Sequence, residues 1–297
     1  MQTLSGSQTV EKSLSTVLAE LFKARLTSLV LLTTVVGYYL GSRGPLDMAR
    51  LLNTLAGTGL LAAGAAALNQ LLEREHDSRM RRTEDRPLPS GRLTPQSVLV
   101  IGGVTSAVGM IYLALMVNLL TSLLGAATLV SYLFVYTPLK RLTTLNTIIG
   151  AIPGALPPLM GWTAATGRVT AGGWALFAVL FFWQLPHFYA IAWMYRDDYA
   201  KAGFVMLPLT DPSGERTGRQ SVSHTLGLLV MSLFPVVFNV AGPVYGIGAI
   251  LLGAGMLALA INFSRKLTPG AARALFFGSI IYLPLLLALM VFDKVKL

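Results

Sequence analysis

Asn69, Glu73 and Asp77 follow one another at intervals of four in NQLLEREHDSRMRRTEDRPLPSGR, residues 69–92. On an α-helix that spacing stacks three oxygen-bearing side chains along one face, drifting by about 40° per step. Arg74, Arg79, Arg81, Arg82, Arg86 and Arg92 share the segment. Carboxylate and amide oxygens suit a hard cation such as Mg2+, and guanidinium forks suit phosphate, so the stretch reads as a site for a magnesium-bound diphosphate. A charged loop obeying the positive-inside rule explains the arginines. It does not explain why a polar triad continues the face of a charge-free apolar run, Leu51 to Leu68.

A second acidic group, Asp197 and Asp198, lies in YRDDYAKAGFVMLP, residues 195–208, flanked by Tyr195, Arg196, Tyr199 and Lys201. Adjacent carboxylates point to different helix faces, so one of the two reaches a shared site while the other meets solvent. Lys23, Arg25, Lys140 and Arg141 fall on the same side of the bilayer and suit the charge of a leaving diphosphate, or simple topological anchoring. His187, with Trp183, Gln184 and Pro186, lies inside an apolar run, where a polar group is a functional candidate: a haem ligand, a proton relay, or an interhelical hydrogen bond. Asn146, Tyr132, Tyr136 and Trp162 suit the lining of an isoprenoid pocket or the shielding of a cation. His76 and His224 read as loop residues.

The elements that must position these groups are membrane helices. Hydrophobic residues make up 54% of the 297 and charged residues 12%, against about 25% charged in soluble domains. Apolar runs recur along the chain at about Leu26–Leu40, Leu51–Leu72, Val98–Val117, Leu119–Tyr136, Thr147–Thr166, Trp174–Tyr195, Val222–Val240, Val244–Phe263 and Ala274–Phe292. The fold class is therefore all-α, a polytopic membrane protein of about nine transmembrane helices around a central cavity. Residues 1–22 read as a cytoplasmic tail, mobile or surface-lying, and 23–297 as one transmembrane domain. The net charge of +10 would suggest nucleic acid in a soluble protein, but here the basic residues sit between spans. No nucleic-acid partner is expected. With no cysteine, disulfides and thiolate metal sites are excluded, and the polar first 20 residues are not a cleavable signal.

Of 23 lysines and arginines, 18 fall on the side of the acidic motifs. Arg43, Arg50, Arg168, Lys294 and Lys296 fall on the other, which puts the amino terminus and both motifs in the cytoplasm and the carboxyl terminus outside. Two carboxylate-bearing extensions four spans apart also suggest a weak internal repeat of two four-helix halves.

These pieces resemble the UbiA-type intramembrane prenyltransferases, typified by the 4-hydroxybenzoate enzymes, and within them the haem-farnesylating branch. The likeness runs from KARLTSLV at residues 23–30 to the last span. It is most specific in the 69–92 stretch, YTPLKRLTTLNTIIGAIPGALPPLMGW, WQLPHFYAIAW and YRDDYAKAGFVMLP. It implies farnesyl diphosphate and haem b as substrates, haem o as product, and Mg2+ as cofactor in a bacterial-type inner membrane. Asn69, Glu73, Asp77 and Asp198 would hold the metal and carry catalysis. Lys23, Arg25, Arg86, Arg92 and Lys140 would bind diphosphate, and His187, Trp183 and Tyr195 would form the haem or acceptor site. Haem a synthase or terminal oxidase assembly factors would be partners. Two positions depart from the pattern: Glu73 stands where aspartate is commoner, and Ala202 where the quinone branch carries another acid, which puts a second magnesium in doubt. The competing readings are a quinone precursor or chlorophyllide as acceptor, or a polytopic transporter, whose site belongs near the bilayer midplane.

Overall fold

The computed structural model describes residues 12–295. Helix α1 (Leu14–Leu21) is followed by α2 (Ala24–Gly41), α3 (Met48–Asp77), α4 (Pro95–Met116) and α5 (Leu119–Val130). A π-helical turn, Ser131–Tyr136, runs on into α6 (Thr137–Leu139), and then come α7 (Asn146–Thr166), α8 (Ala171–Met194) and the short α9 (Arg196–Lys201). The rest is α10 (Glu215–Met231), α11 (Phe234–Val237), α12 (Pro243–Lys266) and α13 (Pro269–Phe292). Among the described residues no strand forms, apart from one isolated bridge between Ala241 and Lys294.

Starts and stops follow local chemistry. Asp47, Thr94, Asn118 and Thr268 each accept a backbone N–H at the start of α3, α4, α5 and α13, and proline opens α4, α12 and α13 where its missing N–H costs nothing. Gly167 ends α7 in the left-handed conformation (φ 71°) that glycine takes freely. Among the described residues nine helical segments are long and apolar enough to cross a membrane, so the chain is a multi-pass membrane protein.

Two cores flank α7. One joins α2, α3, α4, α5 and α7; the other joins α2, α7, α8, α10, α12 and α13. Close approach is secured by glycines: a Cβ at Gly37 would fall on the carbonyl of Pro158, and one at Gly161 on that of Thr34. Backbones that touch in this way are held by dispersion, the main adhesive between helices in lipid.

Two features differ from the sequence reading. Residues 1–11 lie outside the described residues; 14–21 form a helix laid against α3, where buried Gln70 donates its amide to the carbonyls of Glu20 and Leu21. His76 and His224 are helical, in α3 and α10, and not in loops. The apolar periodicity also gave no sign of the π-turn, which adds a residue to one turn and lets Thr137 bond back to the carbonyl of Tyr132. Replacing Gly37 or Gly161 with alanine should destabilise the protein by about 1–3 kcal/mol through overpacking, read as a lower unfolding midpoint in detergent. Gly103→Ala, with nothing near its Cβ, should leave that midpoint unchanged or raise it.

Candidate active site

The triad of α3 lies where its spacing puts it, on one face, and that face is buried: Asn69 is 0%, Glu73 5% and Asp77 1% exposed. A buried charge must be matched, and each member takes one basic side chain from a different segment. Lys23 donates to Asn69 Oδ1 at 2.8 Å, Lys140 to Glu73 Oε1 at 2.7 Å, and Arg86 to Asp77 Oδ2 at 2.7 Å. Asn69 donates in turn to Thr137 Oγ1 at 3.2 Å, so the first residue after the π-turn supplies the triad's fourth partner. Asp77 Oδ1 is buried with no hydrogen-bond partner among the described residues.

Lys23 sits at the corner between α1 and α2 with φ 47° and ψ 54°, a left-handed backbone that costs a non-glycine residue about 1–2 kcal/mol. Burial, and then the nearby Arg86 guanidinium, push its ammonium down to about 7, against the opposing pull of Glu73. Burial also works against charge on Lys140, but there Glu73, with the Tyr136 and Tyr132 rings behind it, prevails and holds the ammonium above the ordinary lysine range. The Lys140 nitrogen lies 4.6 Å above the Tyr136 ring.

These groups open into a cavity of about 220 Å3. Lys23, Arg82, Arg86 and Lys140 line it together with Glu73 and Asp77, an excess of basic side chains that suits an anion. Its apolar wall comes from Met80, Tyr136, Phe188, Ile191, Tyr199, Phe204 and Met206. Loops far apart in sequence close it. Arg82 donates to the Tyr199 hydroxyl at 3.3 Å and lies over the rings of Tyr195 (5.1 Å) and Tyr199 (5.8 Å). His76 is held at both nitrogens: Arg141 can only donate, so Nε2 accepts from it at 3.3 Å, and Nδ1 donates to the carbonyl of Ala202 at 2.7 Å. Asn146 donates to the carbonyl of Val205, and Val205 N–H to that of Lys140. Both acidic motifs thus meet at one end of the bundle.

The structure brings together Lys23, Asn69, Glu73, Asp77, Arg86 and Lys140. It places the other expected residues elsewhere. Asp198 is half-buried on α9, beside the cavity-lining Tyr199 but contributing no wall of its own. Arg25 is exposed on the first turn of α2, two residues and a change of face from Lys23. Arg92 is spent on Asp85 within its own loop. Tyr195 is 40% exposed beneath Arg82. Trp183 and His187 face α13: the indole donates to the carbonyl of Ser279, and the imidazole stacks between Trp183 (5.2 Å) and Phe276 (4.9 Å). Ser279 gives its hydroxyl proton to the carbonyl of Phe276, so His187 Nδ1 is the donor to Ser279 Oγ at 2.7 Å. Sequence reasoning held Arg82 only as one of six arginines and Tyr199 only as a flank of the second acidic pair, and did not reach Thr137. The four-residue spacing of Tyr195 and Tyr199 was the one available signal, and it does not name its arginine.

Among the described residues no three His, Cys, Asp or Glu side chains converge as a metal cage. Mg2+ does not need one, because it is usually bound by one or two carboxylates with substrate phosphates and water. The unpartnered Asp77 Oδ1 on the cavity wall fits that role, with Glu73 and Asn69 on the turns behind it.

The UbiA prenyltransferase family model matches residues 30–282. A relative from Solibacter usitatus, named protoheme IX farnesyltransferase, is 47% identical over 284 residues, covering 93% of this chain and 97% of the relative. One of the same name from Opitutus terrae is 47% identical over 279 residues, 94% of each. Among solved structures, digeranylgeranylglyceryl phosphate synthase superposes with a TM-score of 0.81 at 15% identity, covering 95% of this chain and 99% of that one. A UbiA homologue from Archaeoglobus fulgidus bound to GPP and Mg2+ superposes with 0.63 at 14% identity, covering 92% and 99%. At such identities the structures speak for the fold.

Lys23 should react as a neutral amine near physiological pH. Acylation followed by peptide mass spectrometry should give a labelling midpoint of about 7, while solvent-exposed lysines stay protonated until about 10. Labelling of Lys23 that rises only with the exposed lysines would contradict its placement.

Proposed function

This chain belongs to the UbiA prenyltransferase family, and from that premise we propose that it transfers the farnesyl group of farnesyl diphosphate to a vinyl group of protohaem IX, haem b, giving haem o and diphosphate. Its close relatives carry the name of that activity over nearly their whole length. The observation that carries the reading is the buried face of α3, an acid pair and an amide matched by basic side chains from three segments, with one Asp77 oxygen left over in an electropositive cavity.

Asp77, with Glu73 and Asn69, would hold Mg2+ together with the substrate's diphosphate, and the ion when bound supplies Lewis-acid stabilisation of the leaving phosphate oxygens. Lys23, Arg86 and Lys140 surround the place where negative charge grows as the bond between farnesyl C1 and oxygen breaks and its electron pair leaves with diphosphate. Arg82, held between Tyr195 and Tyr199, closes the cavity and limits water around the allylic cation. Tyr136, Phe188 and Phe204 give that cation an aromatic wall. The terminal vinyl carbon of haem attacks C1, and water adds to the inner vinyl carbon with loss of a proton, leaving the hydroxyl of haem o. No protein nucleophile takes part. His187, with Trp183 beside it, is proposed on the acceptor's side, and Asp198 as a second-motif carboxylate reaching the metal-diphosphate when the loops close. The 18-to-5 bias of basic residues supports a cytoplasmic catalytic end in a bacterial-type inner membrane. The product would pass to a haem a synthase or terminal oxidase assembly factors.

The test is purified protein in lipid with farnesyl diphosphate, Mg2+ and haem b. Extracted haem should gain the mass of one farnesyl group plus one hydroxyl, and hydroxybenzoate or chlorophyllide should not be prenylated. Asp77→Asn should lower kcat/KM by about 100-fold or more, and a chelator should stop turnover. Prenylation of another acceptor, with haem untouched, would move the activity elsewhere in the family.

A further inference from the structure

At the end of the bundle opposite the acidic motifs, two adjoining cavities of about 260 and 380 Å3 share Arg43 and Trp162 as walls. Arg168 and Lys294 line the first, and the first turn of α8 lines the second. That turn has no side-chain cap, so the N–H groups of Ala171, Gly172 and Gly173 point into the end of the helix without intrahelical acceptors. Against the same turn lies Trp162, 8% exposed, whose indole N–H is buried with no hydrogen-bond partner. The indole packs directly on the turn: a Cβ at Gly173 would sit 2.9 Å from its Cδ1, and one at Gly172 2.5 Å from its Cη2 and 2.8 Å from its Cζ2. Lys294 donates to the carbonyls of Tyr39 and Ser42 and lies 4.5 Å from the centre of the Tyr39 ring, and among the described residues none of Arg43, Arg168 and Lys294 has an acidic partner within 4.0 Å. Unspent backbone donors, an unspent buried indole donor and three cations without counter-charge converge on one place.

We propose that this end of the protein binds the phosphate of an anionic phospholipid from the adjacent leaflet, with the indole N–H and the first turn of α8 as donors and Arg43, Arg168 and Lys294 as counter-charge. A helix N-terminus favours an oxyanion, and the depth is that of lipid headgroups, at the ends of α2, α7 and α8. Val237 and Phe238, 64% and 40% exposed, flank the second cavity and give an acyl chain a track. A cationic choline headgroup would meet the same three cations, so an anionic lipid is preferred. The catalytic cavity lies the length of α7 away, 21 residues or about 31 Å, so this phosphate is neither the diphosphate of the substrate nor a propionate of haem held for reaction.

The experiment is native mass spectrometry of the full chain released from phosphatidylglycerol or phosphatidylcholine, with inorganic phosphate as competitor. Wild type should retain one phosphatidylglycerol in preference to phosphatidylcholine, and millimolar phosphate should not displace it. R43Q/R168Q, which alters two exposed side chains and spares the fold, should weaken retention about tenfold or more. Trp162→Phe, which keeps an aromatic ring and removes the donor, should weaken it too, and farnesyl transfer should persist in R43Q/R168Q. Equal retention of the two lipids, or unchanged retention in R43Q/R168Q, would overturn the proposal. Displacement by inorganic phosphate would assign the site to a free anion instead and overturn the lipid.

Discussion

Two carboxylates and an amide buried along one helical face are untenable in a low dielectric unless each finds a partner, and that requirement organises the catalytic end of this protein. Asn69, Glu73 and Asp77 are satisfied from three directions, by Lys23 at the corner before α2, Lys140 after α6, and Arg86 in the loop after α3. Segments 46, 67 and 9 residues away are thereby drawn to one helix tip. The cavity is what remains among them. Its excess of basic groups follows from the same arrangement, because Lys23 is matched to a neutral amide and Arg82 is added without a carboxylate of its own.

The rest of the bundle makes such a tip possible at all. Helix α7 is wedged between two apolar cores and carries Pro153, Pro157 and Pro158, which spare interhelical bulk where Gly37 and Gly161 let α2 touch it. Proline is tolerated here because neighbouring helices and side chains meet the freed backbone groups. Gln184, buried on α8, donates to the carbonyl of Ala151 and ties α8 to α7. A rigid wedge keeps the ends of α2 and α8 in register with α3, and the loops that close the cavity hang from those ends.

How much of this was legible depended on whether a signal was periodic or pairwise. The nine spans could be read because apolar runs are long, and the triad because a spacing of four coincides with one helical face. The basic partners were legible only as a population: Lys23 and Arg25 look alike in sequence, and a left-handed backbone at Lys23 decides which one turns inward. Arg86 and Arg92 are likewise separated by Asp85, which takes the second of them. Asp198 looked as promising as Asp77, yet it sits on a helix of only six residues whose phase brings Tyr199 to the cavity instead. The clasp of Arg82 on two tyrosines more than 110 residues away leaves no local trace. Neither does the π-turn that delivers Thr137 to Asn69.

The corner at Lys23 carries one more implication. Its unfavourable backbone is stabilised from both sides, by the bond to Asn69 and by α1, which Gln70 ties to α3. The amino-terminal helix is then a brace for a substrate-facing amine and not spare sequence. Shortening the protein to its first membrane crossing would leave every span in place and still release the residue that the crossing begins behind.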